Sequence, residues 1–237
     1  MSYFRNVTAM LAAIFLFCDS CPANAQITLN QIDTFGTGTT ANWTQGGTGS
    51  GVVVVLGGPA GASDQYLQIT SIGGGGATSR LVTFNRTQWI GNYKTAGVTA
   101  ISMDLRAPIS NNQARPIRLA FRDGATNTGY SSDAFSLLND GLWHNTQFAL
   151  SSANFSPIGS PSPFDTFLTT TTELRILSAA SPSFLGDSIV AVVGVDNIQA
   201  GVAPVPEPTL VLAAIVPLLV ASLRVRRSRA LAVAGQI

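Results

Sequence analysis

His144 is the only histidine in the chain, and it follows Asp133 and Asp140 closely. A Ser-His-Asp relay is formally available, because an imidazole can take a serine proton while a carboxylate fixes its tautomer. No G-x-S-x-G turn occurs to present the serine. A single histidine also rules out a zinc centre built on several imidazoles. Glycoside cleavage needs two carboxyl groups facing one bond, and the region 26–201 offers Glu173 with scattered aspartates and no clustered pair. There is no phosphate-cradling loop or G-x-G-x-x-G, and Gly73 to Gly76 reads as a flexible turn. The expectation is a protein that is not an enzyme, with His144, beside Trp143, a surface or hydrogen-bonded histidine.

Aromatic side chains offer another chemistry. Flat apolar faces at Trp43, Trp89, Tyr93, Tyr130 and Trp143 can carry a sugar ring while nearby Asn and Asp bond its hydroxyls. Trp89 and Trp143 sit beside apolar strand positions and are expected to pack a core. Tyr93 and Tyr130 lie in polar stretches and are expected at the surface. With Trp43, they are the candidate ligand contacts.

The elements that must position these residues read as strand after strand. Gln26 to Ile32, Val52 to Leu56, Tyr66 to Ile72, Leu81 to Phe84, Val98 to Arg106 and Ile117 to Arg122 are short, β-branched and bounded by turn residues. So are Ala134 to Leu138, Trp143 to Leu150, Glu173 to Ser178 and Ile189 to Ile198. In one of them Ile117, Leu119 and Phe121 share a face while Arg118, Ala120 and Arg122 share the other. Gly57-Gly58-Pro59, Asp123-Gly124 and Asn139-Asp140-Gly141 supply turns between runs. No stretch within 26–201 holds a helical period over three turns. The expected class is all-β, a two-sheet sandwich of the jelly-roll kind, flanked by an N-terminal signal helix and a C-terminal transmembrane helix.

Both flanks are legible. Arg5, the apolar run Val7 to Phe17 and the small-residue triplet Ala23-Asn24-Ala25 make a secretory signal peptide over 1–25, cleaved after Ala25. Cys18 and Cys21 both fall inside it, so the exported chain is expected to carry no thiol chemistry and no disulfide. The region 26–201, 176 residues, is enough for one sizeable core. It holds eight basic and ten acidic residues, a balance that argues against nucleic acid and suits an uncharged or weakly charged polysaccharide. A linker, 202–208, ends in Val205-Pro206-Glu207-Pro208, whose prolines stop any preceding element. The apolar run Thr209 to Leu223 is 15 residues, about 23 Å of helix against about 30 Å of hydrocarbon. Arg224, Arg226, Arg227 and Arg229 follow at once and make a cytoplasmic stop. The expectation over 209–237 is a membrane helix.

The order of these last parts, Val205-Pro206-Glu207-Pro208, apolar helix, arginine cluster, resembles the PEP-CTERM sorting signal of exopolysaccharide-producing Gram-negative bacteria. The trailing piece Leu231 to Ile237 is longer than that family usually carries. The resemblance implies a membrane protease partner, an exosortase, and an inner-membrane-anchored intermediate that is then moved to the cell surface or extracellular matrix. A second resemblance covers most of 26–201. Trp43, Gly57-Gly58-Pro59-Ala60-Gly61, Asp64 to Ile69, Gln88 to Tyr93, Ile101 to Arg106, Asp140 to Trp143, Leu174 to Leu177 and Val195 to Ile198 look like the laminin IV (laminin B) module. They also resemble the galactose-binding-like jelly rolls that serve as carbohydrate-binding modules. These imply an adhesive, structural or carbohydrate-binding role, with a secreted polysaccharide hydrolase or lyase, or a permanently anchored periplasmic protein, as alternatives. In such jelly rolls an Asp of the closing strand and an acid near the first strand hold a structural calcium. The matching positions are Asp196 and Asp33, which equally suit turn capping or backbone amides.

Overall fold

The computed structural model describes residues 26–45, 51–76, 78–109 and 114–204. Along them run β1 (Ile32–Asp33), β2 (Val52–Gly58), β3 (Gly61–Ile72), β4 (Val82–Asn85), β5 (Ala100–Arg106) and β6 (Arg115–Asp123). Then follow β7 (Thr128–Ser132), β8 (Phe135–Leu137), β9 (Trp143–Ala149), β10 (Phe155–Ile158), the single-turn helix α1 (Phe164–Phe167), β11 (Glu173–Ser178) and β12 (Val190–Gly201). They form two antiparallel sheets. Sheet A runs β2-β3-β12-β5-β9 with β1 also on β12, and sheet B runs β10-β7-β6-β11-β4 with β8 on β6. The expected all-β, two-sheet sandwich is what the described residues form.

Alternation decides which face of each strand is buried. In β6, Ile117, Leu119 and Phe121 enter the main core while Arg118, Ala120 and Arg122 face outward, as the sequence pattern predicts. From sheet A come Leu67, Ile69, Met103, Leu105, Val193 and Val195, all buried in the same core. The turns fall where Gly and Asp place them. Gly57 and Gly61 bracket the β2–β3 connection at φ +100° and +126°, and Asp64 accepts the Ala60 N–H at 2.9 Å. A second, smaller apolar cluster of Val82, Ala120, Leu177, Ala179 and Phe184 lies on the outside of sheet B.

Two strands are not visible as β-branched runs. β7 and β10 are rich in Gly, Ser and Pro, yet they pair with each other and β7 with β6. Gly129 is required there, since a Cβ would fall 2.0 Å from the Phe121 carbonyl oxygen. The expected strand over Gln26 to Ile32 contracts to β1. Among the described residues no helix is long and apolar enough to cross a membrane. The signal segment 1–25, with Ala23 and Ala25, and the tail from Val205 through Pro206, Glu207, Pro208, Arg224, Arg226 and Arg227 lie outside the described residues.

Candidate functional site

The outer face of sheet A is built in register from four strands that are not neighbours in sequence. Gln68 of β3 lies opposite Gly194 of β12, Gly194 opposite Arg106 of β5, and Arg106 opposite Trp143 of β9. The adjacent row carries Asp196, Asp104 and Asn145. Tyr66 of β3 leans over the first row, and its ring meets Trp143 edge to face, centroids 5.0 Å apart at 80°. Both rings are half-buried, so each keeps an apolar surface towards solvent, the state in which an aromatic can carry a ligand.

Hydrogen bonds fix this pair. The Trp143 indole N–H donates to the Gly57 carbonyl at 3.3 Å. Arg106 donates Nε to Gly141 O at 2.9 Å and Nη1 to Gly57 O at 3.4 Å, with its guanidinium carbon 6.0 Å from the Trp143 ring. Beside Tyr66 and Arg106 lies a depression of about 80 Å³, lined also by Gln68, Pro108, Val192 and Gly194. Alongside it Asp104 accepts the amide N–H groups of Asn145 at 2.9 Å and Asn197 at 2.8 Å. An apolar ring pair beside an array of amides, a guanidinium and a carboxylate has the chemistry to stack on a sugar ring and to bond hydroxyl groups.

Asp196 and Asp104 are direct cross-strand partners, with Asp64 close by. The expectation of scattered aspartates without a pair is therefore corrected: the β5–β12 pairing brings together two acids 92 positions apart in the chain. Burial raises the Asp196 carboxyl to about 7, and the charges of Asp64 and Asp104 add to the shift. Asp196 is 1% exposed, which keeps it beneath the surface rather than on it.

Of the aromatics named from sequence, Trp89 packs the core as expected, and the other four are placed otherwise. Tyr93 is fully buried against Phe121, with rings 5.1 Å apart, and donates its hydroxyl to Trp89 O at 2.8 Å. Tyr130 is buried between Phe164 and Phe167 and bonds Ser162 O. Trp43 and Trp89 are both buried, and both donate indole N–H groups to Asp33 Oδ2 at 2.7 Å. Of the five rings, Trp143, expected in the core, is the one that reaches this face. Strand parity is the reason: Trp143 shares a row with Arg106 and Gly194, whereas polar neighbours in sequence said nothing of what packs over Tyr93 and Tyr130.

Asp33 and Asp196 are not brought together. Asp33 pairs with core-facing Ile198 and spends its carboxylate on Trp43, Trp89 and Gln88, while Asp196 points to the opposite face of sheet A. The two cannot share one calcium, and no group of three or more His, Cys, Asp or Glu able to hold a metal ion occurs among the described residues. His144 Nε2 lies 3.0 Å from both carboxylate oxygens of Asp140, on the side of β9 away from Trp143. Tyr66, Gln68 and Arg106 were missed. Their signal was the alternation with buried Leu67, Ile69, Met103 and Leu105, which marks them as outward-facing.

No family model matches the chain, and no curated protein does. Among solved structures it is similar to an exo-β-agarase, with a TM-score of 0.52 at 10% identity over 76% of this chain and 26% of that one. A second agarase aligns with a TM-score of 0.47 at 12% identity over 76% of this chain and 25% of that one. A carbohydrate-binding module specific for non-crystalline cellulose aligns at 0.45 and 11% identity, over 74% of this chain and 97% of that one. The chain thus spans about a quarter of either agarase. At these identities the likeness is one of fold.

Proposed function

We propose that this is an exported, non-catalytic protein whose sandwich holds a neutral polysaccharide on the outer face of sheet A. The observation that carries the reading is the Tyr66–Trp143 ring pair, half-exposed beside Arg106, Gln68, Asp104 and Asn145. Delivery by a PEP-CTERM and exosortase route rests on Val205 to Pro208, the apolar run after it and the arginines beyond.

Affinity electrophoresis of the full chain through gels containing agarose, β-glucan or galactan tests the binding. At least one polymer should retard the protein, and Tyr66→Ala or Trp143→Ala should each weaken retardation about tenfold, the equivalent of about 1.4 kcal/mol. Unchanged retardation by both variants overturns the reading. Intact mass of the product exported by cells with and without the sorting protease tests delivery. The mass should lack the residues after the Pro206–Pro208 motif only where the protease is present.

A second reading, a polysaccharide hydrolase or lyase, draws on Asp104 and Asp196, two carboxyl groups of unlike environment beside the rings. New reducing ends or unsaturated products that vanish with Asp104→Asn would favour it. Burial of Asp196 weighs against it.

A further inference from the structure

We infer that the outer face of sheet B carries a separate site for an oxyanion borne on a sugar, a uronate carboxylate or a sulfate ester, bound by Arg122 and Arg175 beside Phe184 and Leu185. The argument starts from a charge imbalance. Glu173 is fully buried, and three guanidinium groups converge on it: Arg86 Nε at 2.5 Å, Arg122 Nη1 at 3.5 Å and Arg175 Nε. One carboxylate offsets one of these charges and Asp123, close to Arg122, offsets part of a second, which leaves the cluster with a net positive charge. The other nearby acids direct their hydrogen bonds away from the three guanidinium groups. Asp123 accepts the Ala125 N–H at 2.9 Å and the Thr126 hydroxyl at 2.8 Å within its own turn, and Asp187 accepts the Ser178 hydroxyl at 3.3 Å.

Excess positive charge in partly buried surroundings costs free energy unless an anion joins it. Arg175 shows the strain on that balance: it is 8% exposed, and burial pulls its pKa down while Glu173 pushes it back up. Local packing fixes the guanidinium planes. Arg175 donates Nη1 to Phe184 O at 2.6 Å, Arg122 donates Nε to Asn127 Oδ1 at 2.9 Å, and Arg86 and Arg175 lie 4.4 and 5.3 Å from the Phe84 ring. A groove of about 280 Å³ opens beside Arg122 and Arg175, walled by Asn127, Ser183, Phe184 and Leu185. Leu185 is 58% exposed. Guanidinium groups at one side and an apolar rim at the other suit a sugar ring with one oxyanion, since Arg forks match such groups bidentately. The site lies on the opposite sheet from the ring pair and does not depend on it.

Affinity electrophoresis of the full chain in gels of polygalacturonate, a sulfated galactan or neutral galactan tests this. The wild type should be retarded by one or both acidic polymers, with retardation falling steeply as salt is raised. Polygalacturonate alone identifies a carboxylate, the sulfated galactan alone a sulfate, and both a general sugar oxyanion. Arg122→Gln should weaken binding about tenfold. Leu185→Glu, which repels an anion from the rim without touching Glu173, should do the same in a chain that folds as before. Tyr66→Ala should leave acidic-polymer binding intact, so failure of this site and failure of the ring-pair face are told apart. No retardation by either acidic polymer, retention by Leu185→Glu, or linear polyphosphate competing as tightly as the better polymer overturns the assignment.

Discussion

The ring of Tyr66 and the ring of Trp143 close over Gly194, where a Cβ would lie 2.8 Å from the tyrosine ring and 3.0 Å from the indole. Glycine is needed at this position because two aromatics from β3 and β9 converge on β12, one of the two strands that lie between them. The pair is thus held from below by the absence of a side chain and at its edge by the Gly57 carbonyl. Pre-set rings lose little rotamer freedom on binding, which favours affinity.

Gly194→Ala should therefore force the rings apart. Overpacking of this kind costs about 1–3 kcal/mol, read as a lower urea midpoint, and polysaccharide retardation should weaken together with it. Retardation that survives at full strength would show that the rings act separately or not at all.

Asp33 should behave as a structural anchor and not as a metal ligand. Asp33→Ala leaves the indole N–H groups of Trp43 and Trp89 without their acceptor, at about 1–3 kcal/mol for each orphaned group. Asp33→Asn keeps an oxygen and should cost less. Addition of a chelator should leave the melting temperature of the wild type unchanged, and a drop of several degrees would place a cation at this seam.

The two-sheet class was legible because burial alternates along β5 and the later half of β3, because Ile117, Leu119 and Phe121 recur at every second position of β6, and because no helical period competes. The site was not. Its residues come from four strands whose lateral order, β3-β12-β5-β9, is set by long-range pairing that local pattern does not encode. For the same reason Asp104 and Asp196 looked isolated, and Tyr93 and Tyr130 looked exposed although distant phenylalanines cover them. Alternation could have marked Tyr66 and Arg106 as outward, but not as neighbours of Trp143.

His144→Ala should leave polysaccharide retardation unchanged, because the imidazole faces Asp140 on the side of β9 away from the rings. The bond from His144, with the Leu142 N–H, lowers the Asp140 pKa. Its loss should be felt only as a small change on the acid side of the stability profile. Loss of any polymer turnover with this variant would instead revive a catalytic histidine.

Asp196 sets the last expectation. Its folded pKa, about 7, lies well above the usual carboxylate value, chiefly through burial and then through Asp64 and Asp104. A raised acid binds its proton more tightly in the folded chain, so folding is favoured while the group is protonated. That contribution is lost as pH climbs from about 4 to about 7 and is absent above. Asp196→Asn keeps the oxygen that accepts the Asn197 N–H at 2.8 Å and offers an amide to the neighbouring carboxylates. The variant should match the wild type in melting temperature near pH 4 and exceed it by several degrees at pH 8, the difference growing between those limits. The difference between the two chains is the quantity to read, since other carboxylates such as Asp123, lowered by the Ala125 N–H, tilt the absolute profile the other way. A constant offset across the range would show that Asp196 stays ionised in the fold, and that the β5–β12 pairing tolerates two facing charges.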